Sequence, residues 1–309
     1  MSGHAGDSGH ARVTPRLAFT LPPNQVDLER LAPLYPLVDL FEVCPETTWW
    51  CDGDGALRPN GYHPRFAAIA REHGKNCIAH GVAFSLGSAR PDPARRARWL
   101  ERIAADQETF HYEWYSDHFG VTEVAGENLS LPLPIPRTEE AAAAVRASLA
   151  ALQRVVPDVG FENSVFYVHA GDPAAEPAFL ARCLNAPRTH LVLDLHNLHT
   201  TAVNRGIDPR AWLAALPLDR VIELHVSGGS WSDPAWLASG RVLRLDSHDA
   251  AVPEEVWQLA AEVVPRCSKL RALTLERMEN TIADDDVARL RDELARARAL
   301  LLAANGAAR

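Results

Sequence analysis

The 309-residue sequence predicts an α/β fold, a single (β/α)8 TIM barrel. Three observations predict it: short apolar runs alternate with longer amphipathic segments, eight such repeats can be counted, and residues 15–305, which contain them, exceed the roughly 250 residues that this barrel needs. Strand-helix repeats at this spacing favour parallel strands joined by right-handed crossovers. Residues 1–14, rich in Gly, Ser and His, are expected to form a disordered tail and lack the apolar run of a signal peptide.

The eight expected strands are too short to be assigned singly, because periodicity does not separate a buried strand from a buried helix segment. They are Leu17–Leu21, Leu40–Val43, Asn76–His80, Trp114–His118, Val159–Asn163, His190–Asp194, Val221–His225 and Leu270–Glu276. The expected helices are Val26–Leu34, Pro64–His73, Pro93–Thr109, Thr138–Val156, Pro173–Leu184, Pro209–Leu216, Pro253–Val264 and Asp284–Leu302. Thr138 stands before two glutamates and Pro begins five other helices, which are good helix starts.

An open, doubly wound sheet is the competing architecture for alternating strands and helices. Its nucleotide-binding members carry a glycine-rich turn after the first strand. Here the first strand is followed by Pro22, Pro23 and Asn24, so the fingerprint is missing and the closed barrel is favoured.

Composition excludes several classes of protein. A net charge of -9 argues against a nucleic-acid partner, and no apolar stretch approaches the roughly 20 residues of a membrane span. The five cysteines form an odd, widely spaced set without paired zinc-type spacing. We therefore expect a cytoplasmic protein without a disulfide framework.

Seven of the eight apolar runs end in residues able to bind metal or move protons. In chain order, with the pair from the loop after the seventh strand, they are Glu42, Cys44, Glu46, His80, Asp117, His118, Glu162, Asn163, Asp194, His196, Asn197, His199, His225, Asp246, His248 and Glu276. In a barrel these positions converge on one mouth. Carboxylates buried together lose hydration and repel one another, and bound cations remove that cost. Imidazole mixed with carboxylate suits iron, manganese or zinc, and the number of candidates predicts two or three ions.

The candidates differ in how strongly spacing supports them. A lone histidine at a strand end, such as His80 or His225, is more often structural, so their joint occurrence carries the prediction. His196 shares a strand face with Asp194, whereas Asn197 and His199 have the opposite parity unless the strand has ended. Spacing leaves open which of the three faces the metals. Trp49 and Trp50 are candidates for a substrate-pocket wall, with ordinary packing as the alternative.

These motifs resemble those of the multinuclear non-heme iron-dependent oxidative enzymes, a family of xylose-isomerase-like barrels. The resemblance extends from Phe41 to about Glu276. Its motifs are the segment His80–Ser88, Ser116-Asp117-His118, Leu133-Pro134 with Thr138-Glu139-Glu140, Glu162-Asn163, Leu193-Asp194 with Asn197, Ala202–Pro209, Glu223-Leu224-His225 and Asp246–Asp249.

The resemblance implies a cluster of two or three iron ions (Fe2+/Fe3+), dioxygen as cosubstrate, and a thiol-containing substrate, either a peptide or a small molecule. The family includes the methanobactin-forming oxidase and the enzyme of thiaglutamate biosynthesis. Motif matching implies metal binding by His80, Glu162, Asp194, His225, Asp246, His248 and Glu276, and catalytic roles for Asp117, His118, Asn163 and Asn197. Cys44, Glu46, His196 and His199 are additional metal candidates. No peptide-recognition domain is evident, so a peptide substrate would require a separate partner protein.

The chain departs from the family pattern at two positions. Cys44 stands where the family commonly has His two residues after the glutamate of the second strand. Gly229 stands where it often has a second His after the seventh strand, since this chain reads His225-Val226-Ser227-Gly228-Gly229. These departures leave the choice between two and three irons open.

Three other functions are compatible with such a barrel. A divalent-metal sugar isomerase or epimerase would use a base such as Glu276 and no oxidant. Metal-assisted phosphodiester cleavage also uses several ions, although the acidic charge disfavours DNA as substrate. A scaffold that kept the barrel and lost a ligand is the non-enzymatic alternative. Oxygen dependence separates the oxidase from the isomerase.

Overall fold

The structure is a computed structural model that describes residues 14–125, 127–168 and 171–307. Eight parallel strands close into a barrel; they follow one another around its wall in chain order, and the last lies beside the first. The strands are β1 Arg16–Thr20, β2 Leu40–Val43, β5 Asn76–Gly81, β6 Tyr115–His118, β9 Val159–Glu162, β10 Thr189–Asp194, β11 Val221–Val226 and β12 Ala272–Leu275. This confirms the predicted fold class. The predicted tail, residues 1–14, lies outside the described residues except for Thr14.

Helices follow the barrel strands along the chain. They are α1 Gln25–Leu31, α2 Tyr62–His73, α3 Pro93–Phe110, α4 Glu139–Leu152, α5 Glu176–Cys183, α6 Leu195–Arg205, α7 Pro209–Ala214, α8 Glu254–Val263 and α9 Asp286–Ala307. The expected cap forms at Thr138, which accepts a backbone N–H group at the start of α4, and Asp92 caps α3 in the same way. None of the described helices combines the length and apolar character that a bilayer crossing requires.

Three elements differ from the sequence-based expectation. Helix α6 begins at Leu195, directly after β10, and was not predicted because Leu195–Arg205 is rich in His, Asn and Thr, which have low helix propensity. Two antiparallel hairpins also emerge beside the barrel. One joins β3 Trp49–Cys51 to β4 Leu57–Pro59, and the other joins β7 Val121–Val124 to β8 Glu127–Leu133.

The side chains that point into the barrel form two layers of different polarity. A small apolar core cluster, separate from the main core, holds Ala18, Leu40, Ile78, Trp114, Val192, Ile222 and Ala272. Because side chains alternate along a strand, two residues further on the chain points to the same side. For six of the seven residues that step leads to Thr20, Glu42, His80, Ser116, Asp194 and Thr274, whereas from Ile222 it leads to the apolar Leu224. The barrel interior is therefore apolar below and polar toward the carboxyl ends of its strands.

Candidate metal centre

Potential metal ligands gather at the carboxyl ends of seven barrel strands, in the first turn of α6 and on the loop after β11. Among the described residues there are four groups of potential ligands, and within each group the donor atoms all lie within 4.8 Å of one another. The groups are Glu162, Asp194, His225 and Glu276 (the first group); His80, His118 and Glu162 (the second group); His196, Asp246 and His248 (the third group); and Glu42, His80 and His225 (the deep group).

The first group combines three carboxylates with one imidazole at the ends of β9 to β12. His225 Nδ1 lies 3.0 Å from Glu162 Oε1 and 3.1 Å from Glu276 Oε2. Asp194 is paired in register with His225 on the neighbouring strand. All four residues are almost completely buried, so their charges are removed from water and need compensation.

The second group shares Glu162 with the first. His80 Nε2 and His118 Nε2 lie 3.6 and 3.4 Å from Glu162 Oε2. Ser116 Oγ is hydrogen-bonded to His80 Nδ1 at 2.8 Å, which fixes the ring and leaves Nε2 facing the carboxylate. Glu162 thus presents one oxygen to each group, the arrangement of a bridging carboxylate. The structure places His118, expected in a catalytic role, among the potential ligands.

The third group is built from a helix and a loop. His248 Nε2 lies 2.7 Å and His196 Nδ1 lies 3.6 Å from Asp246 Oδ1. His248 has a φ of 49°, and its other nitrogen, Nδ1, lies 3.7 Å from Glu276 Oε2. The third group therefore continues the first, and the three form one connected series of donors.

His196 occupies space that a side chain at position 229 would need. A Cβ on Gly229 would lie 2.9 Å from His196 Cε1 and well inside contact distance of the Leu245 carbonyl oxygen. The sequence analysis placed His196 on the same strand as Asp194. In the structure the strand ends at Asp194, and His196 lies in the first turn of α6. The imidazole missing at Gly229 is thus replaced in space by one from the neighbouring element.

Mutual charge interactions perturb the pKa values throughout the centre. Burial opposes charge on His80 and His248, yet the facing carboxylates outweigh it and raise the pKa of His80 to about 9 and that of His248 to about 10. Burial, reinforced by Glu162, raises the pKa of Asp194 well above its ordinary value. Burial lowers the pKa of His118 and of His196. Protons thus carry, in part, the positive charge that these carboxylates demand.

Several buried polar atoms of the centre have no hydrogen-bond partner among the described residues. They are Asp194 Oδ2, Glu276 Oε2, His196 Nδ1, Asn197 Oδ1, Glu42 Oε2 and His225 Nε2. Buried donors and acceptors are normally paired, so each orphan requires an explanation such as an ion. Donor sets of two histidines and one carboxylate, as in the second and third groups, suit non-heme iron(II). The residues present therefore fit cations of this kind.

Asn163 and Asn197 hold the Asp194 segment in place. Asn163 exchanges two hydrogen bonds of 2.9 Å with the backbone of Asp194. Asn197 donates from its side chain to the Asn163 carbonyl, and its backbone N–H donates to Asp194 Oδ1, the N-cap of α6, at 2.8 Å. Only Asp194 Oδ2 is left to face the first group. These contacts orient a ligand, whereas the sequence suggested catalytic roles for both asparagines.

Asp117, Glu46 and Cys44 lie in a different network, which supports the loop after β5. Glu46 Oε1 accepts the N–H groups of Val82 and Ala83 at 3.1 Å, and Asp117 Oδ2 accepts that of Phe84. Cys44 Sγ lies 3.6 Å from Glu46 Oε2, and burial raises the pKa of its thiol well above the usual value. None of the three belongs to the donor groups found in the described part of the chain. The His80–Ser88 motif is thus a loop whose backbone is fixed by carboxylates.

The remaining candidates also lie apart from those groups. Trp49 donates to Asp106 Oδ2 at 2.7 Å and packs edge-on against Trp99 of α3, contacts that fit the alternative of ordinary packing. Trp50 is half exposed on the hairpin. His199 lines a surface pocket with Glu255 and Gln258 of α8.

Sequence comparison finds close relatives across most of the chain. The family model described as "RiPP precursor modification enzyme MbnB/TglH/ChrH" matches residues 27–302. A UPF0276 protein of Caulobacter vibrioides is 34% identical over 264 residues, which cover 83% of this chain and 87% of that protein. A UPF0276 protein of Rhizorhabdus wittichii is 35% identical over 223 residues, covering 71% of this chain and 74% of that protein.

Structural comparison finds barrels of low sequence identity. A D-allulose 3-epimerase from Methylomonas sp. aligns with a TM-score of 0.54 at 16% identity, over 94% of this chain and 99% of that one. Endonuclease IV from Thermus thermophilus aligns with a TM-score of 0.52 at 16% identity, over 91% of this chain and 99% of that one. At these identities the similarity supports the xylose-isomerase-like fold and not a shared reaction.

Proposed function

This chain belongs to the MbnB/TglH/ChrH family of RiPP precursor modification enzymes, and from that premise we propose that it is a multinuclear iron enzyme that uses dioxygen to oxidise a thiol-containing substrate. The observation that carries the proposal is the connected series of three donor groups, in which Glu162 bridges the first and second and Glu276 lies between the first and third. We propose a cytoplasmic enzyme whose substrate is a cysteine-containing precursor peptide or a small thiol.

Charge balance supports three ions. Glu162, Asp194, Asp246 and Glu276 belong to the three groups, and the buried Glu42 and Glu223 lie beside His225. Fully ionised, these six carboxylates carry six formal negative charges in a water-poor interior. Three divalent cations would offset them, whereas two would leave an uncompensated excess that burial makes costly. Cys44 is not needed as a metal ligand in this arrangement, since His118 supplies the second imidazole of the second group.

Iron bound in these groups would supply the redox chemistry and the Lewis acidity for a substrate thiolate. Neighbouring residues of the chain hold the ligating side chains in position. Ser116 fixes the His80 ring, Asn163 fixes the Asp194 backbone, and the apolar layer below excludes water from the barrel interior. His118 is the most exposed member of the second group, with a quarter of its side chain accessible. Substrate would therefore approach from the side of His118.

The number of donor groups also argues against the isomerase alternative. The first group alone offers enough ligands for a single-metal isomerase or epimerase. The second and third groups, each with two histidines, would have no role in a proton transfer between carbons.

A peptide substrate also requires a recognition surface, and we propose that a separate partner protein supplies it.

The test starts from an anaerobic preparation loaded with Fe2+, in which the metal content is measured. Dioxygen uptake is then measured with cysteine-containing peptides encoded near the gene, in the presence and in the absence of the other proteins encoded beside it. We expect up to three irons per chain and substrate-dependent oxygen consumption. Glu162→Ala should abolish turnover, whereas His111→Asn, at an exposed left-handed helix end that Asn tolerates, should not. Absence of iron in the wild type, or anaerobic epimerisation of a ketohexose, would refute the proposal.

A further inference from the structure

The deep group lies beneath the three others in the barrel interior. Glu42 on β2 faces His225 on β11, with 3.2 Å between Glu42 Oε2 and His225 Nε2. The two residues are 1% and 0% exposed. Neither of these facing atoms has a hydrogen-bond partner among the described residues. Either a cation or a proton must therefore lie between them.

The neighbouring contacts favour a proton. His80 is the third donor of the deep group, but its Nδ1 is bonded to Ser116 Oγ and its Nε2 faces Glu162 in the second group. His225 Nδ1 already faces Glu162 and Glu276. A deep cation would remove His80 from the second group and would require His225 to lose both ring protons. A proton on His225 Nε2 requires neither.

Two carboxylates lie near that proton position, and only one has a free oxygen. Glu223 Oε1 is 3.3 Å from His225 Nε2, but Glu223 already accepts hydrogen bonds from Trp114 Nε1 on Oε2 and from Thr274 Oγ1 on Oε1. Glu42 accepts from Thr20 Oγ1 at 2.6 Å on Oε1 and keeps Oε2 free. Glu42 is therefore the available acceptor.

We propose that Glu42 is a positioning residue that accepts a hydrogen bond from the Nε2–H group of His225 and thereby directs the Nδ1 lone pair of His225 into the first group. A carboxylate behind a ligating imidazole fixes its tautomer and orientation and raises its basicity. Thr20 orients Glu42 in turn, so three barrel strands, β1, β2 and β11, determine how one ligand is presented. The inference rests on the proposed function only in that the first group binds a cation.

The test compares Glu42→Gln with the wild type in anaerobic titrations with Co2+ against a competing chelator. Glu42→Gln keeps the size of the side chain and removes its charge. We expect the tightest-bound Co2+ to be held about 10-fold or more weakly, its visible absorption bands to shift, and the total number of ions per chain to stay unchanged. Glu176→Gln is the matched control, since Glu176 is a buried carboxylate on α5 outside the donor groups.

Two results would overturn the inference. Unchanged Co2+ affinity and spectrum in both Glu42→Gln and Thr20→Val would show that Glu42 does not act through His225. Loss of one ion per chain would show that the deep group binds a cation. If Glu42→Gln does not fold, Thr20→Val removes the hydrogen bond that orients Glu42 and should weaken Co2+ binding in the same direction. None of these measurements uses dioxygen, so they remain valid if the oxidase proposal fails.

Discussion

Replacing Gly229 by alanine should disrupt the third group without replacing any of its ligands. Gly229 lies in the loop after β11, and its φ lies outside the left-handed range. Alanine is therefore tolerated by the backbone, and the effect is purely steric. The new Cβ would press on the Leu245 carbonyl, lie 2.9 Å from His196 Cε1 and lie 3.1 Å from Ser247 Oγ.

The size of the effect follows from the required displacement. Carbon and oxygen atoms normally stay about 3.3 Å or more apart, so the backbone at Leu245 must move by about 1 Å. That shift would displace Asp246, the next residue, and His248, two residues further on. Functional ligands tolerate a displacement of only about 0.5 Å. Overpacking of this kind costs about 1–3 kcal/mol in the free energy of unfolding. For a chain of this size we expect a Tm lowered by about 2–5 °C.

Calorimetry and metal analysis of the purified variant measure both effects. We expect one ion fewer per chain than in the wild type, together with the lowered Tm. Gly61→Ala is the control, because no atom lies within 4 Å of the position of its Cβ. The reasoning would be refuted if Gly229→Ala matched Gly61→Ala in Tm and kept the full number of ions.

Three further predictions concern the shared ligand, the bound ions and an isolated buried carboxylate. Glu162→Ala should lower the metal content by two ions per chain, because Glu162 belongs to two groups; loss of a single ion by metal analysis would contradict the bridging arrangement. Removing the ions with a chelator should lower the free energy of unfolding by about 3 kcal/mol for each ion removed, relative to protein in metal at 100 times its Kd, measured in urea; equal stabilities would argue against bound cations. Burial raises the pKa of Glu176 to about 7, only partly offset by Arg137. Because this folded-state pKa lies above the unfolded value near 4.3, the contribution of Glu176 to wild-type stability should fall as pH rises from about 4 to 7. Glu176→Gln should remove up to about 3 kcal/mol of that fall, so identical pH dependences of wild type and variant would contradict the assignment.

The barrel could be predicted from the sequence because its signal is repeated eight times. Short apolar runs such as Leu40–Val43 are ambiguous singly, yet their alternation with helices constrains the topology. Strand bounds agree within one or two residues, since the apolar pattern ends where the polar mouth begins. Helix α6 escaped prediction because its residues serve the site: Asp194 caps it and His196 points into the third group.

The sequence by itself determined which residue types stand at the ends of the strands, and hence that a metal centre is the economical explanation for them. It could not decide which carboxylate or imidazole meets which. His118 and Asp117 are adjacent in the chain, but strand alternation turns the first toward Glu162 and the second toward the Phe84 N–H. His196 and Gly229 are far apart in the chain, and their complementarity exists only where α6 meets the loop after β11. Donor groups of this kind depend on distances of a few ångströms between different strands, which only the closed barrel determines.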